Sequence, residues 1–277
     1  MSKITIINDA EQAALVTNNA VTAGKFYLKA EGSTNAGDIV IYNGSTWKRF
    51  ANEYSASFSN AYSVDFDGTD DYASFSAINI PDGPRTISAW FKASSLVSGY
   101  KGLIGGTSNY LGVDLSANFF LLWDGTTSRY KQWTGTISTS SWVHVMVVDN
   151  DSGSAGNCVF YVNGSDIGIP APSANTSAPG ALTFSYLGRK SNDYFPGLID
   201  EVAIWNSDES ANISEIRDTS GSNPVPGDLS LMTNQPLHWW RMGDNDSGTG
   251  STITDQGSVG VDATLQNQAS FSSDVPS

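Results

Sequence analysis

From Tyr62 onward the chain is cut every few residues by turn-forming groups. "YSVDFDG" runs into "GTDD" and then "YASFS", and "TISAWFKA", "KGLIGG", "YLGVDL" and "NFFLLWDG" follow. Apolar stretches this short, bounded by Gly, Asn, Asp and Ser, read as strands rather than helices. "WVHVMVVDN" (Trp142–Asn150) is apolar on both faces, as expected of a central strand. "CVFYVNGSDIG" carries an Asn163-Gly164 pair, a strong hairpin signal. The pattern predicts an all-β fold, a two-sheet antiparallel sandwich, although strand order alone leaves a barrel open. One short helix is expected after Trp205. Asn212 is its expected N-cap, Glu215 closes the capping box, and Ile213 and Ile216 form its contact face.

The first 54 residues read differently. "NDAEQAALVTNNA" (Asn8–Ala20) predicts a short capped helix, and Asn43-Gly44 joins "IVIY" to "STWKRF" as a hairpin. This is a small β-rich appendage, and the expected division is residues 1–54 and residues 55–277. Charge follows the same division. The appendage holds five Lys/Arg and five Asp/Glu, so the whole net charge of −14 lies in residues 55–277. A chain with no basic footprint is not expected to bind nucleic acid or anionic membranes. Cys158 is the single cysteine, so no intrachain disulfide forms, and its apolar strand makes it a buried thiol. The first residues lack a signal-peptide core, and no apolar run reaches membrane-spanning length. Synthesis in a cytoplasm without classical secretion is expected.

"FPGLIDEVAIWN" poses the sharpest chemical question. Strict strand alternation puts Asp200 with Leu198, Val202 and Ile204, and Glu201 on the opposite face with Ile199, Ala203 and Trp205. Two carboxylates leaving an apolar strand on opposite sides cannot form a catalytic pair. They are expected to tie the strand to neighbouring turns. His144 lies mid-strand among apolar residues and is expected to be a satisfied core histidine. No Gly-x-Ser-x-Gly elbow and no phosphate loop is present.

Five segments, in order, carry a likeness to a known family: "VDFDGTDDYASF", "RTISAWFKA", "SWVHVMVV", "VFYVNGSDIG" and "FPGLIDEVAIWN…ISEIRD". Together they resemble the concanavalin A-like, laminin G-like jelly rolls over roughly Tyr62 to Asp218. The resemblance implies a jelly-roll sandwich. One feature departs from the usual order: Gln235–Asn267 looks like the strand that normally opens such a domain, yet it comes last. It completes either its own sandwich or a neighbour's. This segment and "AGDIVIYNGSTWKRFANE" together resemble modules of tailed-bacteriophage structural proteins. That likeness implies a non-enzymatic virion protein, a head decoration protein or short head fibre. A tail-fibre adhesin, a free lectin and a polysaccharide hydrolase are the alternatives.

The resemblance also implies candidate sites. Relatives bind calcium through aspartates on rim loops; here the candidates are Asp67, Asp70, Asp71 and Asp200, which otherwise cap turns. The Glu-x-Asp-x-x-Glu string of laminarinase-like hydrolases is missing. Lectins of this fold stack sugars on exposed aromatics. "LWDGTTSRYKQW" offers Trp123, Asp124, Arg129, Tyr130 and Trp133, with Tyr100, Asn109 and Tyr110 nearby. Trp90, Trp142 and Trp205 are expected in the core. The expected partners are other virion proteins through residues 1–54, further copies of the chain, and a host-surface glycan, with the sandwich exposed on the virion.

Overall fold

The computed structural model describes residues 5–7, 26–29, 39–42, 47–49, 58–150, 158–168, 171–172, 179–219 and 223–277. Two compact units divide between Ser59 and Asn60. The first contains a four-stranded sheet. Thr5–Ile7 runs parallel to Phe26–Lys29, and Ile39–Tyr42 and Trp47–Arg49 continue it antiparallel. Tyr42 pairs with Trp47, so the expected hairpin pairing is present, while its Asn43-Gly44 turn and the expected Asn8–Ala20 helix lie outside the described residues.

The second unit is a sandwich of two antiparallel sheets, counted here over the described residues. One has nine strands in the order Ala171–Pro172, Ser128–Gln132, Phe119–Trp123, Tyr110–Asp114, Lys101–Gly105, Leu182–Leu187, Tyr72–Ile80, Ala263–Gln266, Thr252–Ile253. The other has eight. Its path is Ser165–Asp166, Cys158–Val162, Val143–Asp149, Arg85–Ala93, Pro196–Trp205, Ser63–Asp67, Ser270–Ser272, and His238–Trp240 pairs with Pro196–Trp205 beside it. The core forms where alternate residues of both sheets meet. Phe91 of the eight-stranded sheet approaches Phe120 of the nine-stranded sheet at 6.2 Å between ring centroids, and Trp240 meets Phe75 at 4.8 Å. Cys158 and His144 are both buried, as expected, but His144 is not the satisfied histidine expected, because only Nε2 has a partner (Ser88 Oγ) and Nδ1 has none.

The Asn163-Gly164 hairpin is present, with both residues at positive φ, as a tight two-residue turn requires. The late segment folds back onto its own chain. Trp239 pairs with Ala203, Leu265 with Ala73, and Phe271 with Val64. Gln235–Asn267 therefore supplies strands to both sheets of this sandwich.

Two local readings change. The Ile213–Ile216 helix exists, but the Asn212 side chain does not cap it. The Asn212 amide instead donates to Glu209 Oε2 at 2.6 Å, because a buried carboxylate beside it is the stronger acceptor. The Pro196–Trp205 strand does not alternate strictly. Its pairing with Arg85–Ala93 shifts between Asp200 and Ala203, and Glu201 has φ +46°. This bulge inserts one residue and inverts the parity beyond it. Val202 and Ile204 join Ile199 in the core, while Ala203 and Trp205 share the outer face with Leu198 and Asp200.

Candidate functional site

The bulge decides the fate of the two carboxylates. Asp200 lies opposite Trp90 on the outer face, and Glu201 accepts from Trp239 Nε1 and from Arg241 Nε at 3.1 Å. Both acids therefore lie on one side of the sheet, not on opposite sides as alternation predicts. Asp200 Oδ2 accepts from Asn60 Nδ2 at 2.9 Å and Oδ1 accepts from the Glu201 N–H at 2.8 Å. Arg241 also reaches Asp244 at 2.8 Å, and Asp244 accepts the Ala61 and Tyr62 N–H groups. Burial, then the neighbouring Glu201 charge, pushes the Asp200 carboxyl well above the usual carboxylate range. Burial also lifts Glu201 to about 7, against the opposing pull of Arg241. The pair is a buried, hydrogen-bonded clamp between the strand and the 239–244 segment. A substrate cannot reach carboxylates this enclosed.

Asp67, Asp70 and Asp71 do converge, with one carboxylate oxygen of each within 4.8 Å of the others. Asp200 is not among them. Asp67 Oδ1 accepts the N–H groups of Thr69, Asp70 and Asp71, and Asp71 accepts those of Asp67 and Gln268. Asp71 is thereby a pin between the 67–71 turn and Gln268. Calcium takes roughly six to eight oxygens. Three carboxylates, two of them already engaged by backbone, supply only part of such a shell.

The glycan candidates separate by face. Two adjacent rows cross the nine-stranded sheet. The inner row runs Arg129, Leu122, Leu111, Ile104, Leu187, Ala73, Leu265. The outer row runs Ser128, Trp123, Tyr110, Gly105, Tyr186, Ser74, Thr264. Partners directly opposite share a face, so parity alone sends Arg129 inward. Arg129 is fully buried and donates to the Ser128 carbonyl, so it is not a ligand contact. Asp124 is spent on its own turn. Its Oδ1 accepts from Thr126 N and Oγ1 and from Thr127 N, and its Oδ2 from Gly180 N at 2.6 Å. Burial raises this carboxyl, but the N–H groups of Thr127, Gly180 and Thr126 outweigh it and hold it below its usual range. Trp133 packs half-buried against the core.

Trp123 and Tyr130 remain on the outer face, half-exposed, and Tyr110 stands directly opposite Trp123. Tyr130 leans on Phe119 at 6.0 Å. Beyond Tyr110 the row has a glycine for a packing reason. A Cβ on Gly105 would lie 2.6 Å from the Arg189 carbonyl, so only glycine lets the 189–194 hairpin lie across the sheet. That hairpin brings the Arg189 guanidinium to 4.5 Å from the centroids of both Tyr72 and Tyr186 and 5.3 Å from Tyr194. Lys190 Nζ lies 4.9 Å over Tyr110 and is fixed by Asp193 at 2.6 Å. Burial pushes the Tyr110 hydroxyl up to about 12, so it stays a neutral donor. Tyr72, Tyr186, Tyr194 and Arg189 carry no mutual sequence signal. They are distant in the chain, and only strand pairing and the hairpin assemble them.

The outer face thus carries half-exposed aromatic rings on a rigid sheet, with Lys190 over Tyr110 and Arg189 over Tyr72 and Tyr186. Residues 67–213 match the family model described as the concanavalin A-like lectin/glucanases superfamily. The chain belongs to that superfamily. Among solved structures, a Bacteroides ovatus protein described as a candidate carbohydrate-binding protein is similar to this superfamily member. It shows a TM-score of 0.53 and 14% identity over 92% of this chain and 70% of that one. The heptameric SAP-like pentraxin of Limulus polyphemus aligns with TM-score 0.45 and 17% identity, over 64% of this chain and 91% of its own. These likenesses concern the fold. No curated protein sequence matches the chain.

Proposed function

We propose that this chain is a non-catalytic glycan-binding module displayed on the surface of a tailed-bacteriophage particle. The observation that carries the binding role is the outer face of the nine-stranded sheet, where the half-exposed rings of Trp123 and Tyr130 stand beside Tyr110, with Tyr186 beyond Gly105 in the same row. Aromatic faces half in water bind the C–H faces of sugar rings while their polar edges take hydroxyls. The similarity to the Bacteroides ovatus protein supports a carbohydrate as the ligand class. Supporting binding rather than hydrolysis, the acid pair Asp200 and Glu201 is enclosed and tied to Asn60, Trp239 and Arg241.

The virion role rests on the resemblance of residues 36–53 and Gln235–Asn267 to modules of tailed-bacteriophage structural proteins. On that reading the first unit, neutral overall, would dock on capsid or tail protein, and the sandwich, which carries the −14, would face solvent. A head decoration protein or short head fibre is the position proposed, with a tail-fibre adhesin second. Repeated copies would raise weak glycan affinity through multivalency. A glycan array probed with the full chain and with Trp123→Ala tests the binding role. Wild type should retain a set of neutral glycans that the variant loses; no retained glycan, or identical profiles, defeats it. Imaging of purified particles tests the location: density for the first unit against the shell supports it, and absence of the chain from particles rejects it.

A further inference from the structure

A second concavity lies on the opposite side of the sandwich, at one end of the eight-stranded sheet. Its volume is about 430 Å³, within the roughly 300–1,000 Å³ usual for small-molecule sites. Trp90 and Trp142 form aromatic walls, and Ser140, Ser141, Asn163 and Asn223 add hydroxyls and amides. Trp142 is expected in the core, yet it stands half-buried just before its strand, with Nε1 donating to Asp274 at 2.9 Å. Lys92 is neutralised by the same Asp274 at 2.6 Å.

Arg217 also lines the pocket, and its charge is not matched. Its Nε is buried and has no hydrogen-bond partner, and the guanidinium makes no ion pair among the described residues. The side chain passes over the Asn163-Gly164 turn, where a Cβ on Gly164 would come within 3.1 Å of Arg217 Nη1. A second orphan lies next to it. His144 is fully buried with its ring 5.0 Å from Trp90, its Nε2 shares a hydrogen bond with Ser88 Oγ, and its Nδ1 has no partner. Burial, with the Arg217 charge nearby, lowers the His144 pKa to about 3, so the ring is neutral. Unsatisfied buried polar groups are costly and call for a partner. A guanidinium fork is matched best by a planar carboxylate.

We infer that this pocket is a second saccharide site, selective for a sugar ring that carries a carboxylate. Arg217 holds the carboxylate, the half-exposed Trp142 ring packs against the sugar with the buried Trp90 as the floor behind it, and Asn163, Ser140 and Ser141 take its hydroxyls. The site is separate from the outer aromatic row, which lies on the other sheet and shares no residue with it. In a chain of net charge −14, an unpaired, partly desolvated cation is where an acidic sugar gains most.

The test titrates the full chain with D-glucuronate, and in parallel with D-glucose and with acetate, reading tryptophan fluorescence and calorimetric heat. Glucuronate should bind at least about tenfold more tightly than either control, because ring and carboxylate are both needed. Arg217→Gln should weaken glucuronate by about tenfold or more and Arg217→Lys by less. Ser141→Trp, at an exposed position on the pocket wall, should block the site without touching the core. Trp123→Ala should leave glucuronate binding unchanged, so failure of the outer row and failure of this site are separable. Equal affinity for glucose or acetate, no glucuronate binding, or full affinity in both Arg217→Gln and Ser141→Trp overturns the inference.

Discussion

The outer faces of the two sheets are built from the same alternation and have different fates. On the nine-stranded sheet, Phe119, Trp123, Tyr110 and Tyr130 point outward and stay half-exposed. On the eight-stranded sheet, Trp90, His144 and Trp205 also point outward, yet are buried. Along Val143–Asp149 and Pro196–Trp205 every residue is buried, whichever way it points. The difference is cover. The chain after Trp205 lies over the second sheet: Trp205 Nε1 donates to the Asn234 carbonyl at 3.1 Å, and the Glu209 N–H donates to Thr86 Oγ1 at 3.0 Å. Parity therefore tells which side a residue takes, and the covering segment tells whether that side is surface.

A matched pair of tryptophans breaks this comparison most strongly. Trp205→Ala should cost about 3–5 kcal/mol, the usual cost of emptying a buried aromatic site. Trp123→Ala should cost under about 1.5 kcal/mol, since its ring is already partly in water. Chemical denaturation of both variants checks this, and equal losses would mean that the two faces are equally covered.

The pH dependence sharpens it next. Glu201 has an ordinary value near 4.5 and is raised to about 7 by burial in the folded chain, and Asp200 is also raised well above its ordinary value. The folded chain then holds protons that the unfolded chain has released. Stability is fully present below about 4.5 and falls as pH climbs toward about 7, by an order of a few kcal/mol. The lowered carboxyls, such as Asp124 and Asp193, act in the opposite sense, below the ordinary aspartate value. Melting curves between pH 5 and pH 7.5 should decline for wild type and decline less steeply in Glu201→Gln, where only the buried Asp200 still titrates. A flat wild-type profile would show that water reaches the pair.

The smallest effect is expected at the uncovered 67–71 turn. Chelation should shift the melting temperature by less than about 2 °C, because backbone N–H groups already satisfy Asp67 and Asp71. A large stabilisation by added calcium would restore the metal reading.

Sequence reasoning reached the sandwich, the hairpin at Asn163-Gly164 and the burial of Cys158 and His144. It misread Arg129, whose fate follows from its pairing with Leu122. It also misread the faces of the 198–205 strand. The Glu201 bulge has no glycine to announce it, and one inserted residue reverses the alternation on which the reading depends. The aromatic row and the Arg217 pocket were illegible for a different reason. Tyr110, Trp123 and Tyr186 meet only through strand order, and Trp90, Asn163 and Arg217 only through the crossing of separate segments at one sheet end.

The amino-acid sequence alone determined the class of fold, the Asn163-Gly164 hairpin and the division of charge, because turn chemistry and period-two apolarity act over a few residues. Tertiary structure alone decided which outward face is surface, where the two carboxylates meet and which cation lacks a partner. Cover, register and charge pairing are relations between distant segments, and their energies exist only once those segments are in contact.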